Sequence, residues 1–292
     1  MSPRPAGIQA FVRRRPITAF LMMAFGIAYP VMALVALAVH RVIPGGPLLD
    51  RLPFPPDEIA GLMLTMLALL PSALFVTWAA DGRPGIVRLF RRIARWRFGI
   101  GWWLAVLAGL PALTVASTVI LGGSLESIDP VGLIWNQLRL LLINFILVNL
   151  WEETAWAGVM QTRLERRSNI FAAAALTALP FGFIHLPLAF LSEISVASVL
   201  ISLAAYILLG LFLRPLIGIV LRGCRDSLLA AGLTHSVFNR TNNDNGIAAT
   251  LLNGELYRLG ILIAVVVLIA LLALLAGRRR LTKTYRLELD AL

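Results

Sequence analysis

One cysteine, one lysine and three histidines occur in 292 residues. The lone cysteine, Cys224, excludes an intramolecular disulfide and a thiol metal cluster. Charge is scarce as well, at 14% of residues against 59% hydrophobic ones, with a mean hydropathy of +0.84. That balance excludes an ordinary soluble globular domain and indicates a polytopic membrane protein. Acids are outnumbered, 15 against 26 basic residues, which leaves a formal charge of +11 and a pI near 11.3. No nucleic-acid module or aromatic-interleaved basic patch accompanies that charge, so nucleic acid is not an expected partner. Every basic residue except Lys283 is an arginine, and most lie in short segments between apolar runs, where they act as membrane orientation signals.

Runs of about 20 apolar residues, the length that crosses a ~30 Å hydrocarbon layer, occur at 17–39, 59–80, 100–121, 140–161, 171–191, 196–213, 227–249 and 256–276. The reading is an all-α bundle of about eight transmembrane helices, in one domain spanning 1–292. A cytoplasmic N-terminus puts Arg4, Arg13 to Arg15, the six arginines of 83–97, Arg163, Arg166, Arg167, Arg214, Arg222, Arg225, Arg278 to Arg280, Lys283 and Arg286 inside. Only Arg41, Arg51, Arg139, Arg240 and Arg258 remain elsewhere, so both termini are expected in the cytoplasm of a multi-pass protein of a bacterial inner or plasma membrane. The first run ends in Ala36-Leu37-Ala38, which resembles a signal-peptidase site. It is longer than a signal core, however, and reads as a retained helix.

Within 85–98, Ile86, Leu89, Phe90 and Ile93 recur at helical spacing, with Arg88, Arg91, Arg92 and Arg95 on the complementary face. The pattern fits a basic amphipathic helix on the anionic inner leaflet, with membrane lipids as its partner. The stretch 44–56 reads as an external loop, and Asn242, Asn243, Asp244 and Asn245 as a cap or turn without the ligand period of a calcium loop. Trp102, Trp103 and Trp135 suit aromatic-belt anchors.

Two glutamates, Glu152 and Glu153, lie in mid-span within Asn149-Leu150-Trp151-Glu152-Glu153-Thr154-Ala155-Trp156. An ionised carboxylate there costs roughly 3 kcal/mol or more, so an intramembrane acid points to function. His185 and His235 fall in later spans, and Asn239 stacks one turn beyond His235 on the same helix face. Neighbouring helical residues diverge by about 100°, so one glutamate at most aims fully at a shared site. Asn149 and Trp156 flank the face of Glu152, which makes it the inward one. By residue count His185 lies shallower than Glu152, which requires its helix to extend, tilt or bend at Pro180 or Pro187. A carboxylate, two imidazoles and an amide suit amide hydrolysis, and they equally suit a proton relay in a transporter or structural polar contacts between helices.

Taken together, Glu152-Glu153, Phe181-x-x-x-His185 and His235-x-x-x-Asn239 resemble the three-motif signature of the CPBP intramembrane proteases, which include the type II CAAX prenyl endopeptidases and the abortive-infection and bacteriocin-processing proteases. The resemblance covers about 149–245, inside a core of 140–249. It implies an eight-helix, all-α fold with an intramembrane polar cavity opening toward the cytoplasm or the bilayer. It also implies a glutamate-dependent endopeptidase of a membrane-associated or lipidated peptide. Glu152 with His185 would activate water, His235 with Asn239 would stabilise the oxyanion, and Glu153 would complete the site. No cofactor is expected, since His-Glu-x-x-His is absent, although Glu152, His185 and His235 leave a divalent metal open. The family's first motif continues as Glu-Glu-x-x-x-Arg, whereas this chain has Ala157 at the arginine position. Glu153 is then expected to lack its cation, unless Arg240 or Arg163 replaces it. The departure keeps an inactive scaffold or regulator as the alternative, and a proton-coupled transporter behind it.

Overall fold

The structure, a computed structural model, describes residues 7–49, 51, 55–127, 129–192 and 194–277. Orientation residues Arg4, Arg278 to Arg280, Lys283 and Arg286 lie outside them. The described chain is helical throughout, with one isolated bridge between Leu125 and Leu252 and no strand among the described residues. Eight helices organise it: α1 (Pro16–Val39), α2 (Pro56–Ile93), α3 (Ile100–Ile120), α4 (Val131–Glu165), α5 (Ile170–His185), α6 (Val196–Gly223), α7 (Leu228–Asn242) and α8 (Leu256–Ala276). Seven of the described helical spans are long and apolar enough to cross a membrane, α5 counting together with the 3-10 turn Leu186–Leu191 that continues it. The remaining helix, α7, has only 15 residues and is buried along nearly its whole length.

Packing follows the logic of a bundle in lipid, where small residues allow close approach and large apolar ones face outward. On α1, Ala19, Ala24 and Ala28 are buried while Met22 and Leu34 are exposed; on α5, Ala173, Ala174 and Ala178 are buried while Phe171 and Leu176 are exposed. Trp135, expected as a belt anchor, is 70% exposed on the outer face of α4.

Helix α4 is not uniform. Wider π-helical turns at Phe145–Asn149 and Trp156–Gln161 bracket the α-helical stretch Leu150–Ala155 that carries both glutamates. Such insertions are frequent at functional sites because they rotate the following residues out of the regular 3.6-residue register.

The long helix α2 bends at Gly82, whose φ of 67° and ψ of −165° are non-helical. A positive φ is strained for a side chain with a Cβ, so glycine suits the bend. Beyond it, the basic segment does not present all its arginines to solvent. Arg92 is 4% exposed and donates to Asp226 Oδ1 at 2.6 Å, to Gly158 O at 3.1 Å and to Thr162 Oγ1 at 3.0 Å. It departs from the amphipathic pattern because the start of α7 supplies a buried carboxylate that holds it.

The two ends of the bundle are fixed by separate sets of contacts. At one, Arg95 donates to Arg225 O and Ser227 Oγ donates to Arg95 O. At the other, Glu126 N donates to Leu251 O, Asn253 N to Ser124 O, and Gln137 Nε2 to Asn245 O.

Candidate active site

Three helices bring the polar residues together. The short α7 packs against the glutamate-bearing stretch of α4, and the contact depends on Gly232: a Cβ there would lie 2.9 Å from Leu150 Cα and 3.2 Å from Phe145 Cε2. That approach brings His235, one turn along α7, to Glu153. Gly232→Ala is therefore expected to push α7 away from α4 and to cost roughly 1 to 3 kcal/mol of stability, the usual range for an overpacked core. A thermal unfolding midpoint equal to that of the natural protein would count against this reading of the contact.

Glu152 and Glu153 are both buried, and they face different partners. Glu152 faces a cavity of about 360 Å³ whose lining includes Asn149, Phe181, His185, Tyr206, His235 and Asn239. Its Oε1 lies 3.4 Å from His185 Nε2 and its Oε2 lies 3.8 Å from His235 Nδ1. Asn149 Nδ2 is 3.5 Å from Glu152 Oε2, and Ser236 Oγ donates to Asn149 Oδ1 at 3.0 Å, so α4 and α7 together orient the carboxylate. Oε1 is buried and makes no hydrogen bond among the described residues, which leaves its acceptor capacity free toward the cavity. Asn239, half-buried on α7, lines the same cavity.

Geometry also fixes which ring nitrogens are free. His185 Nδ1 is 2.6 Å from Phe181 O, and a carbonyl oxygen can only accept, so Nδ1 donates and Nε2 is the nitrogen left beside Glu152. His235 Nδ1 is 2.8 Å from Glu153 Oε1. Both oxygens of Glu153 accept from Arg214, by Nη1 at 3.0 Å and by Nη2, so Nδ1 of His235 is again the donor and Nε2 is free. His185 is the last residue of α5, followed by the 3-10 turn that contains Pro187, and from there its ring reaches Glu152.

Arg214 corrects the expectation that Glu153 lacks a cation. Neither Arg240 nor Arg163 takes the role: Arg240 is held by Gln137 and Asn245, and Arg163 pairs with Asp81. Arg214 is fully buried on α6, and Gln161 Nε2 donates to its backbone oxygen at 3.0 Å. Its guanidinium also lies 4.8 Å from the Phe181 ring centroid, and that ring is 4.6 Å from the ring of His185. The sequence reading treats Arg214 as a cytoplasmic flank because the apolar run 196–213 stops just before it. Helix α6 instead continues through Pro215 to Gly223. An arginine followed, after Pro215, by Leu216, Ile217, Ile219 and Val220 was the available signal.

Trp156 is fully buried with its ring edge-on to Phe20 and Phe181, and Asn242 ends α7 before a turn in which Asn245 accepts from Arg240. Among the described residues, no group of three or more His, Cys, Asp or Glu side chains is arranged to hold a metal ion.

Compared with known families, residues 134–241 match the family described as type II CAAX prenyl endopeptidase Rce1-like. The match runs from α4 to α7 and contains both glutamates, His185, Arg214, His235 and Asn239. No curated protein matches the chain.

Proposed function

We propose, from the Rce1-like domain at residues 134–241, that this multi-pass membrane protein is an intramembrane endopeptidase that hydrolyses a peptide bond of a membrane-associated or lipidated peptide. The observation that carries this reading is the convergence of Glu152, His185, His235 and Asn239 on one cavity between α4, α5 and α7.

In this reading Glu152 is the general base. Oε1 takes a proton from a water that also contacts His185 Nε2, and the hydroxide oxygen attacks the scissile carbonyl carbon. The carbonyl electron pair moves onto oxygen, where His235 Nε2–H, when the ring carries both protons, and the Asn239 amide donate to it. Collapse expels the amine, which receives the proton held by Glu152. Throughout, Glu153 accepts from His235 Nδ1 and is itself held by Arg214, so the ring keeps its orientation as charge develops. No step passes through a metal, and the Glu152 carboxylate supplies the activation.

The departure at Ala157 raised the alternative of an inactive scaffold. Arg214 weakens that argument, since it gives Glu153 a guanidinium partner from another helix. In this reading α7 is the eighth crossing, its 15 residues covering about 22 Å of the ~30 Å layer at 1.5 Å per residue. An even number of crossings puts both termini on one side, which the excess of arginines supports as the cytoplasmic one, the membrane in this reading being a bacterial inner or plasma membrane. The basic segment after Gly82 then lies along the inner leaflet.

The experiment is cleavage of a membrane-anchored peptide by the purified protein in liposomes, comparing the natural chain with Asn239→Ala. Losing one oxyanion donor typically lowers kcat by roughly 100-fold to 1000-fold. Asn239→Ala is expected in that range with little change in KM. An unchanged kcat would remove Asn239 from the oxyanion site.

A further inference from the structure

A second cavity, of about 40 Å³, lies where the bent α2 meets the end of α4, apart from the one around Glu152. One water needs about 10 to 15 Å³ of such space, so the cavity admits a group of a few heavy atoms. Both halves of α2 line it, with Thr77 and Asp81 before the Gly82 bend and Arg88 and Arg92 after it. The end of α4 contributes Arg163, and Arg166 follows directly. The two helices meet closely here, since a Cβ on Gly158 of α4 would lie 2.8 Å from Leu89 Cδ1 of α2.

Four guanidiniums face this cavity, and only two of them are committed. Arg92 is held by Asp226, Gly158 O and Thr162 Oγ1, and Arg163 by Asp81 Oδ2 at 2.6 Å and Val159 O at 3.0 Å. Arg88, half-buried, and Arg166, exposed, make no hydrogen bond or ion pair among the described residues. Asp81 is the one acid of the lining, and with Asp226 behind Arg92 it leaves two positive charges uncompensated. The hydroxyl of Thr77 is a separate sign of a ligand. Thr77 is 3% exposed, and its Oγ1 is buried with no hydrogen-bond partner among the described residues. A helical threonine can satisfy its hydroxyl on the carbonyl four residues back, as Thr154, Thr177 and Thr234 do.

We propose that this cavity binds a phosphate group, held by Arg88 and Arg166 with the Thr77 hydroxyl as a further donor. Phosphate oxygens only accept, carry the charge that the surplus guanidiniums lack, and match the planar fork of arginine. An anionic lipid headgroup and free phosphate both offer this chemistry. The occupant would tie the two halves of α2, across the Gly82 bend, to the end of the helix that carries both glutamates. The site does not depend on the endopeptidase reading.

The test uses the full-length protein in phosphatidylcholine nanodiscs, whose choline cations offset the lipid phosphates. Inorganic phosphate is titrated in at constant ionic strength, or phosphatidylglycerol is included at rising fractions, and the thermal unfolding midpoint is read. A saturable rise with at least one of them is expected, and no rise with either overturns the proposal. A response to phosphatidylglycerol alone assigns the headgroup as occupant, and a response to inorganic phosphate alone assigns the free ion. Arg88→Gln and Arg166→Gln are each expected to raise the half-saturating concentration about fivefold. Arg91→Gln, exposed on the same segment and outside the cavity, should leave it unchanged. An equal loss with Arg91→Gln would show diffuse attraction to a basic surface and overturns the site. Asp81→Asn, which removes the opposing acid and frees Arg163, should tighten binding, and weaker binding contradicts the charge argument. Thr77→Val keeps the shape of the side chain and should weaken binding roughly tenfold without lowering the midpoint of the ligand-free protein. A lower midpoint with unchanged binding would make that hydroxyl structural and remove it from the site.

Discussion

Glu152→Gln is expected to abolish the proposed peptide cleavage while leaving the bundle folded. The amide keeps the shape of the carboxylate and can still meet Asn149, but it cannot take a proton from water. Loss of a positioned general base costs roughly 100-fold to 10,000-fold. Because Oε1 of Glu152 is the buried acceptor left free toward the cavity, no neighbouring carboxylate takes over: Glu153 is committed to Arg214 and His235. The measurement is single-turnover cleavage in liposomes with thermal unfolding in parallel. A variant that cleaves at the natural rate would remove Glu152 from the mechanism, and one that fails to fold would show the carboxylate to be structural.

Arg214→Ala carries the largest expected effect on stability. It strips a fully buried carboxylate of two charge-assisted hydrogen bonds and leaves an uncompensated charge between α4, α6 and α7. Breaking a buried pair from one side costs about 3 to 5 kcal/mol. Glu153→Gln added to Arg214→Ala should recover much of that loss, since the uncompensated charge disappears with it. Position 157 offers a sharper check, because it lies one helical turn after Glu153 and is fully buried. Ala157→Arg alone should destabilise, as it adds a second guanidinium to a packed site that already has one. Combined with Arg214→Ala it should partly restore stability by returning the cation to the family's usual place. If Ala157→Arg shifts the unfolding midpoint equally in both backgrounds, the two arginine positions are not equivalent partners of Glu153.

The site was largely legible because its residues are expensive where they occur. Glu152, His185 and His235 are conspicuous in apolar helices, and their order along the chain sufficed to group them before any distance was known. Arg214 was equally expensive but stood at the end of an apolar run, where an arginine normally marks the cytoplasmic boundary. What the linear pattern could not express was that α6 continues for more than two further turns, with Glu153 on another helix offsetting the charge. Arg92 illustrates the same limit, since its partner Asp226 is remote in sequence. The π-helical turns around Leu150–Ala155 were also invisible, because an apolar helix has no polar stripe whose phase could slip. The polar residues of the short α7 have a related reason: buried among other helices, it exposes almost nothing to lipid and so tolerates Thr234, His235, Ser236 and Arg240.

The most direct measurement of the central claim is mass analysis of a membrane-anchored peptide after incubation with the reconstituted protein in water enriched in oxygen-18. Hydrolysis by a water activated at Glu152 predicts two shorter peptides, with one heavy oxygen in the new carboxylate, and no such products from Glu152→Gln. A peptide recovered intact with the natural chain, or the same products from both proteins, would contradict it.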